Sequence, residues 1–337
     1  MINKLNIDKK TVKSCRKSAH KIAAKVQKYI DIHSTVAVER TVCRLFGIDS
    51  IDDVDVPLPN VVIEALVEND LLENGASDFF ARVFLHTGLS PQEVAVEISE
   101  YRFDFDNLPD FSLQKKVSSL ERYTVTALER IKKQRKRRNL YLEEYGDKDG
   151  PLLYVIVATG DIREDVTQAI AAASQGADVI AVIRTTGQSL LDYVPYGETH
   201  EGFGGTYATQ ENFSIMRSAL DKISKQQKRY IRLVNYASGL CMPEIAVCAA
   251  FEDLDILLND SMYGILFRDI NMKRTFIDQH FSRLICTRAD MMINTGEDNY
   301  LTTSDAVEKA QDYTWNSLKN GQQLGSYQYH PQRFYWK

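Results

Sequence analysis

Short polar clusters follow five apolar runs in the second half of the chain, and their residue types suit the binding of charged small molecules. Guanidinium and hydroxyl groups are good donors to phosphate or carboxylate, and a carboxylate can hold an ammonium group. A single cluster of this kind is typical of a turn or a helix cap, but five in succession favour a binding site. The clusters are 159–161, 184–189, 235–239, 259–263 and 294–299.

Generic catalytic motifs are absent from the sequence. Gly202, Gly204 and Gly205 do not form a GxGxxG fingerprint, and no Walker A sequence occurs. The six histidines and five cysteines show no metal-ligand spacing. Spacing alone therefore predicts no metal site, no nucleotide-binding loop and no Ser/His/Asp arrangement.

The elements that must position the polar clusters are predicted to be parallel strands. Runs that are apolar on both faces and alternate with helix-like stretches are typical of βα units. In such folds the carboxyl ends of the strands converge on the active site. The pattern does not separate a closed barrel from an open sheet. The five runs are 152–158, 178–183, 230–234, 255–258 and 290–293.

Residues 1–145 are predicted to form a helical N-terminal domain. Ser90, Pro91 and Glu93 make a capping box with proline at the first helical position. A long amphipathic helix is expected over 111–138, and it ends in a dense basic run over 130–138. We interpret this run as a solvated face or a subunit contact, because no aromatic residues or nucleic-acid-binding module accompany it.

Composition is that of an ordinary globular protein and argues against nucleic-acid and membrane partners. The 337 residues are 44% hydrophobic and 26% charged, with a net charge of −5. No apolar run is long enough to span a bilayer, and the lysine-rich start lacks a signal-peptide core. Five scattered cysteines fit reduced thiols. These features predict a cytoplasmic protein.

Long motifs in both halves of the chain resemble the large (alpha) subunit of lysine 5,6-aminomutase. The resemblance extends from about residue 5 to residue 309, and its motifs are long and unusual. The matching stretches are 34–40, 56–60, 146–160, 182–193, 201–212, 235–244, 263–272 and 293–303.

The resemblance implies a radical 1,2-amino shift on D-lysine or L-β-lysine that uses adenosylcobalamin and pyridoxal 5′-phosphate (PLP). It implies an alpha subunit built on a TIM barrel whose mouth holds PLP. A smaller beta subunit would bring the cobalamin-binding fold and the lysine that forms a Schiff base with PLP. In such enzymes the cofactors carry the chemistry and the protein positions them.

The same resemblance assigns roles to seven positions of this sequence. Arg184, Ser189 and Ser238 suit the cofactor phosphate, and Tyr263 would stack on the pyridine ring. Arg268 and Asp298 would bind the carboxylate and an ammonium group of the substrate, and Asn299 would add a polar contact. We therefore expect Tyr263, Arg268 and Asp298 as catalytic residues and the others, with Tyr263, as cofactor ligands.

Two departures from the family pattern leave alternatives open. An eight-stranded barrel needs about 250 residues, so we expect an α/β fold with an incomplete TIM barrel of about five to six strands over 146–310. Residues 311–337, which hold both tryptophans, form a divergent tail. The chain is then either a catalytic subunit or a truncated, inactive remnant that acts at most as a binding module. A subunit like that of ornithine 4,5-aminomutase is a weaker alternative.

Overall fold

The computed structural model describes residues 8–32, 35–148, 150–185, 193–202, 205–238, 241–260 and 271–294, and these residues form an α/β fold. Within these ranges, six helices precede a sheet whose strands alternate with four further helices. The helices are α1 (Lys9–Ile32), α2 (Ala37–Leu45), α3 (Leu58–Glu68), α4 (Ala76–Thr87), α5 (Pro91–Ser99), α6 (Leu113–Tyr145), α7 (Ile162–Ser174), α8 (Gln210–Gln227), α9 (Met242–Phe251) and α10 (Met272–Ala289). The strands are β1 (Tyr154–Val157), β2 (Val179–Thr185), β3 (Arg232–Ser238), β4 (Ile256–Asp260) and β5 (Met292–Asn294).

The five strands form one parallel sheet in sequence order, β1-β2-β3-β4-β5. The predicted parallel βα units are confirmed, and the described strands are not closed into a barrel. The predicted ends of three strands are wrong, because the ladder continues through Thr185, Ser238 and Asp260. Parallel pairing depends on backbone groups, so it extends through polar residues where the neighbouring strand is present.

The two faces of the sheet bury different apolar layers. Ile180, Leu233 and Leu257 belong to the large core beneath the helices. Val234 and Ile256 belong to a smaller layer on the opposite face, which also includes Val179, Ala181 and Tyr236. On that second face Tyr154 and Ile156 of β1 are 38% and 45% exposed.

Helices α2 to α5 form a lobe around an aromatic core. The Phe79 and Phe80 rings lie 5.4 Å apart, and the Phe84 ring lies 4.6 Å from that of Tyr123 in α6. The predicted capping box of α5 is confirmed, since the Ser90 hydroxyl accepts from the Glu93 backbone N–H and the Glu93 carboxylate accepts from Ser90. We call residues 35–112 the helical lobe.

A buried carboxylate joins the helical lobe to the sheet domain, which comprises the five strands and helices α7 to α10. Glu244 of α9 is fully buried, and its two oxygens lie 2.7 Å from Arg40 Nε and 3.0 Å from Arg44 Nε of α2. Nearby, Arg274 of α10 pairs with Glu39 of α2 and with Asp278. Helix α2 is therefore fixed to the sheet domain through charges that are withdrawn from water.

Helix α6 continues to Tyr145, beyond its predicted end at residue 138, so the basic run lies within the helix. The run includes the arginines that hold this helix against the sheet domain. Arg130 pairs with Glu252 at 2.9 Å, and Arg137 pairs with Asp221. Arg138 donates to the backbone carbonyls of Leu254, Ala289 and Asp290. The interpretation of the whole run as a solvated face or a subunit contact is therefore wrong for these three arginines, since each points toward the chain's own sheet domain.

Four of the five cysteines are buried, and Cys15 on α1 is exposed. Burial raises the pKa of the Cys248 thiol to about 12, so it remains a neutral, apolar core group. Among the described helices, none combines the length and apolar character needed to cross a bilayer.

Candidate active site at the carboxyl edge of the sheet

The carboxyl ends of β2, β3 and β4 lie side by side and bring three of the polar clusters together. Thr185 pairs with Ala237, Ala237 with Asn259, and Ser238 with Asp260. Neighbouring strands are about 4.8 Å apart, so these positions form a continuous row at one edge. The predicted convergence of the clusters is confirmed for the parts that these strands contain.

A β-bulge in β2 sets the position of Arg184 on the sheet. The register is regular to Ala181, which pairs with Val234, and resumes with Arg184 opposite Tyr236. The extra residue of a bulge shifts the following positions to the other face of the strand. Position 184 consequently lies on the same face as Tyr236 and Val234, the face that lies away from the helices.

The loop after β1 is held at the same edge by a buried hydrogen-bond network. Asp165 of α7 is fully buried and accepts from the backbone N–H and hydroxyl of Thr159, at 2.7 and 2.8 Å. Thr206 donates its hydroxyl to Asp165 and accepts from the Gly160 N–H at 2.9 Å. Thr206 and Gly160 are thereby held together beside the end of β1.

Glycines allow the backbone at residue 160 to approach the backbone at residue 202 closely. A Cβ on Gly160 would lie 3.0 Å from Gly202 N, and a Cβ on Gly202 would lie 2.1 Å from the Gly205 carbonyl oxygen. Gly160 and Gly202 therefore serve close backbone packing.

A partly exposed histidine lies between two carboxylates on this loop. His200 Nδ1 is 3.3 Å from Asp161 Oδ2, and its Nε2 is 3.4 Å from Glu198 Oε1. Backbone donation from Arg163 at the start of α7 lowers the pKa of Asp161, and the Arg163 side chain lowers the pKa of Glu198. Both acids are therefore carboxylates at neutral pH, and Glu198 is paired with the Arg163 guanidinium.

The structure describes two of the seven predicted site residues in part. Arg184 lies near the end of β2, and Ser238 is the last residue of β3, two strand positions beyond the residue opposite Arg184. Ser189, Tyr263, Arg268, Asp298 and Asn299 lie outside the described residues.

Sequence reasoning missed the groups that build the loop after β1. Asp165, Thr206 and His200 carry no motif, and Asp165 and Thr206 are 41 residues apart in the chain. The available signal was the Thr-Gly-Asp cluster at 159–161, which is one of the five predicted strand-end clusters but carries no assignment of individual roles. Within the described ranges, no group of three or more His, Cys, Asp or Glu side chains is arranged to hold a metal ion.

Comparison with known proteins identifies the family. A family model described as the D-lysine 5,6-aminomutase TIM-barrel domain of the alpha subunit matches residues 5–325. The chain is 60% identical over 311 residues to the lysine 5,6-aminomutase alpha subunit of Acetoanaerobium sticklandii, and 57% identical over 313 residues to that of Fusobacterium nucleatum. These matches cover 91% and 92% of this chain.

A more distant relative is a subunit of an ornithine aminomutase. The D-ornithine 4,5-aminomutase subunit beta of A. sticklandii is 39% identical over 163 residues, which are 48% of this chain and 22% of that protein. The chain spans 59–60% of the length of the two lysine enzymes it matches. Because the family model matches nearly the whole length of this chain, the chain belongs to the D-lysine 5,6-aminomutase alpha-subunit TIM-barrel family.

Proposed function

We propose that this chain serves as the alpha subunit of a lysine 5,6-aminomutase, an isomerase that moves the terminal amino group of D-lysine or L-β-lysine to the adjacent carbon. The observation that carries the proposal is the 57–60% identity to two such subunits over more than nine-tenths of the chain. The convergence of polar strand ends at one sheet edge supports it.

The residues at this edge fit the phosphate of PLP. The bulge places position 184 on the face away from the helices, and a guanidinium there can donate two hydrogen bonds to a dianionic phosphate. Ser238 ends the adjacent strand and offers a hydroxyl donor, and Ser189 offers another. Tyr263 would stack on the pyridine ring and hold it in one orientation. When bound, PLP supplies the electron-accepting ring through which an amino group can migrate.

The charged ends of the substrate are assigned to two residues of the later clusters. Arg268 would bind the carboxylate of the diamino acid, and Asp298 would bind an ammonium group, with Asn299 as a further polar contact. Holding both ends fixes the distance between the migrating amine and the cofactor. This positioning is the contribution that a protein makes to radical chemistry performed by cofactors.

We assign adenosylcobalamin and the Schiff-base lysine to a beta subunit. The sequence of this chain contains no motif for cobalamin, and the family resemblance places that cofactor on the smaller partner, in an assembly of both subunits. We also propose residues 1–145, 146–310 and 311–337 as helical domain, partial barrel and tail. A cytoplasmic location is proposed from the five cysteines, none of which forms a disulfide within the described residues.

Two alternatives remain as distinct outcomes. A chain that binds PLP without supporting turnover would be a truncated remnant that acts as a binding module. An ornithine-type subunit is disfavoured, because that relative is only 39% identical over half of this chain.

The test reconstitutes the enzyme. The purified 337-residue chain is mixed with the beta subunit from a lysine 5,6-aminomutase, adenosylcobalamin and PLP, and the 2,5- or 3,5-diamino acid product is quantified. Product from D-lysine or L-β-lysine, with none from D-ornithine, supports the proposal. Cofactor binding without product indicates the remnant, and product from ornithine alone overturns the substrate assignment.

A further inference from the structure

A hydrogen-bonded pair of tyrosines lies on the face of the sheet that points away from the helices. The hydroxyl oxygens of Tyr154 on β1 and Tyr236 on β3 are 3.0 Å apart. Strand β2 runs between β1 and β3, so the pair crosses β2 from one neighbouring strand to the other. Tyr154 is exposed and Tyr236 is partly exposed. Both rings therefore border the open space on this face.

The two tyrosines start from different levels of the sheet. Tyr154 pairs with Val179 of β2, whereas Tyr236 pairs with Arg184, five positions further toward the carboxyl edge. Between these levels, β2 presents Ala181 on the same face. Because the alanine side chain is small, the two tyrosine rings can extend toward each other over it. The hydroxyl of Tyr236 is thereby held by a residue from a deeper level of the sheet.

Tyr236 lies among the residues assigned to the phosphate of PLP. It is in register with position 184 on the neighbouring strand, and neighbouring strands are about 4.8 Å apart. Ser238 follows two residues later on β3, so it belongs to the same face of the strand. Position 236 is therefore beside the predicted phosphate-binding arginine and one step before the predicted phosphate-binding serine.

An arginine that binds phosphate benefits from a fixed guanidinium plane. The two parallel hydrogen bonds of a guanidinium to a phosphate require a defined orientation, and ordering a long side chain on binding lowers the affinity. The face of an aromatic ring is a favourable packing surface for a guanidinium. A tyrosine ring whose hydroxyl is itself hydrogen-bonded keeps one orientation, so it can hold a neighbouring arginine ready to bind.

We propose that the Tyr154–Tyr236 pair positions the Arg184 guanidinium for phosphate binding, with Tyr236 against the arginine and Tyr154 holding Tyr236. Tyr154 starts five positions away from the level of Arg184, so it acts on the phosphate only through Tyr236. The inference rests on the proposed PLP site, and it adds two positioning residues to that site.

Calorimetric titration of the full chain with pyridoxine 5′-phosphate tests the pair. Tyr154→Phe and Tyr236→Phe each remove the hydrogen bond between the two rings. Each should weaken binding about fivefold, the effect of losing one typical hydrogen bond. The double variant should bind as well as either single variant, because all three lack the same bond. As a matched control, Tyr101→Phe removes a hydroxyl from a side chain that is 97% exposed on the helical lobe and should leave binding unchanged.

A double-mutant cycle shows whether the pair acts through the arginine. In the Arg184→Met background, which lacks the guanidinium, Tyr154→Phe should cause no further loss of affinity. A pair with a purely structural role would weaken binding by the same factor in both backgrounds. The melting temperature of Tyr154→Phe should change by no more than about 4 °C, because the lost bond is weak and solvent-accessible.

The outcomes separate this inference from the proposed function. Wild-type binding that is unchanged in both tyrosine variants overturns the inference and leaves the phosphate site in place. Equal weakening by Tyr154→Phe in both arginine backgrounds, or a double tyrosine variant that multiplies the two single losses, also overturns the inference. A wild-type chain that does not bind the analogue overturns the proposed PLP site and the role of the tyrosine pair with it.

Discussion

The ion triad of Glu244, Arg40 and Arg44 offers the sharpest test of how the helical lobe is attached to the sheet domain. The Glu244 side chain is fully buried, and the Arg40 and Arg44 side chains are 10% and 8% exposed. An arginine cannot lose its proton when its partner is removed. Glu244→Gln therefore leaves two buried positive charges without a counter-charge, and removal of one partner from a buried pair costs about 3–5 kcal/mol.

The free energy of unfolding would be measured by urea denaturation, followed by far-ultraviolet circular dichroism. Two comparisons separate the burial of charge from the general effect of a substitution. Glu129→Gln removes one partner of an exposed pair on α6 and should cost no more than about 1 kcal/mol. A triple variant with methionine at all three triad positions removes every buried charge and should recover most of the stability lost by Glu244→Gln.

Two results would refute this reasoning. If Glu244→Gln unfolds within about 1 kcal/mol of the wild-type chain, the triad does not hold the two parts together. If the triple methionine variant is less stable than Glu244→Gln, the loss comes from shape or packing and not from uncompensated charge.

Three further predictions follow from buried groups. Burial, followed by repulsion from a nearby aspartate, raises the pKa of Asp253 to about 7. Between about pH 4 and pH 7 the folded protein therefore keeps a proton that the unfolded protein loses, so the free energy of unfolding falls as the pH rises through this range. Asp253→Asn should remove up to about 4 kcal/mol of that fall, as measured by urea titrations at several pH values. An identical pH slope in both proteins would contradict this. Arg138→Met removes the donor to three backbone carbonyls and should lower the free energy of unfolding by about 2–4 kcal/mol, measured by thermal unfolding. Lys133→Met should leave the stability unchanged, and equal effects of the two substitutions would contradict the docking role of Arg138. Gly202→Ala places a Cβ 2.1 Å from the Gly205 oxygen, so it should lower the melting temperature and weaken pyridoxine 5′-phosphate binding at least fivefold; unchanged binding would separate this loop from the site.

Much of the sheet domain was predictable because β2, β3 and β4 are buried on both faces, although β1 exposes Tyr154 and Ile156 on one of them. Continuous apolar runs, separated by helical stretches, carry a strong signal when both sides of a strand are covered. The cap of α5 was predictable for a different reason, since Ser90, Pro91 and Glu93 act within one helical turn.

Features that depend on contacts distant in sequence were not predictable. In the triad, Glu244 lies 204 positions from Arg40 and 200 positions from Arg44 in the sequence. The bulge that places Arg184 results from the register of β2 with β3. The ends of the strands were missed because polar residues read as turns, although their backbones continue the ladder. Three arginines of the basic run were misinterpreted, since their partners Asp221, Glu252 and the Leu254 carbonyl come from elements that follow much later.

The most direct test of the account is a calorimetric titration of this chain with pyridoxine 5′-phosphate. This analogue keeps the phosphate of PLP but lacks the aldehyde, so it forms no imines with surface lysines. We predict saturable binding that weakens at least tenfold in Arg184→Met and is unchanged in Lys133→Met, with no binding of unphosphorylated pyridoxine. Equal affinity in the Arg184→Met variant, or equal binding of pyridoxine, would contradict the assignment of the sheet's carboxyl edge as a phosphate site.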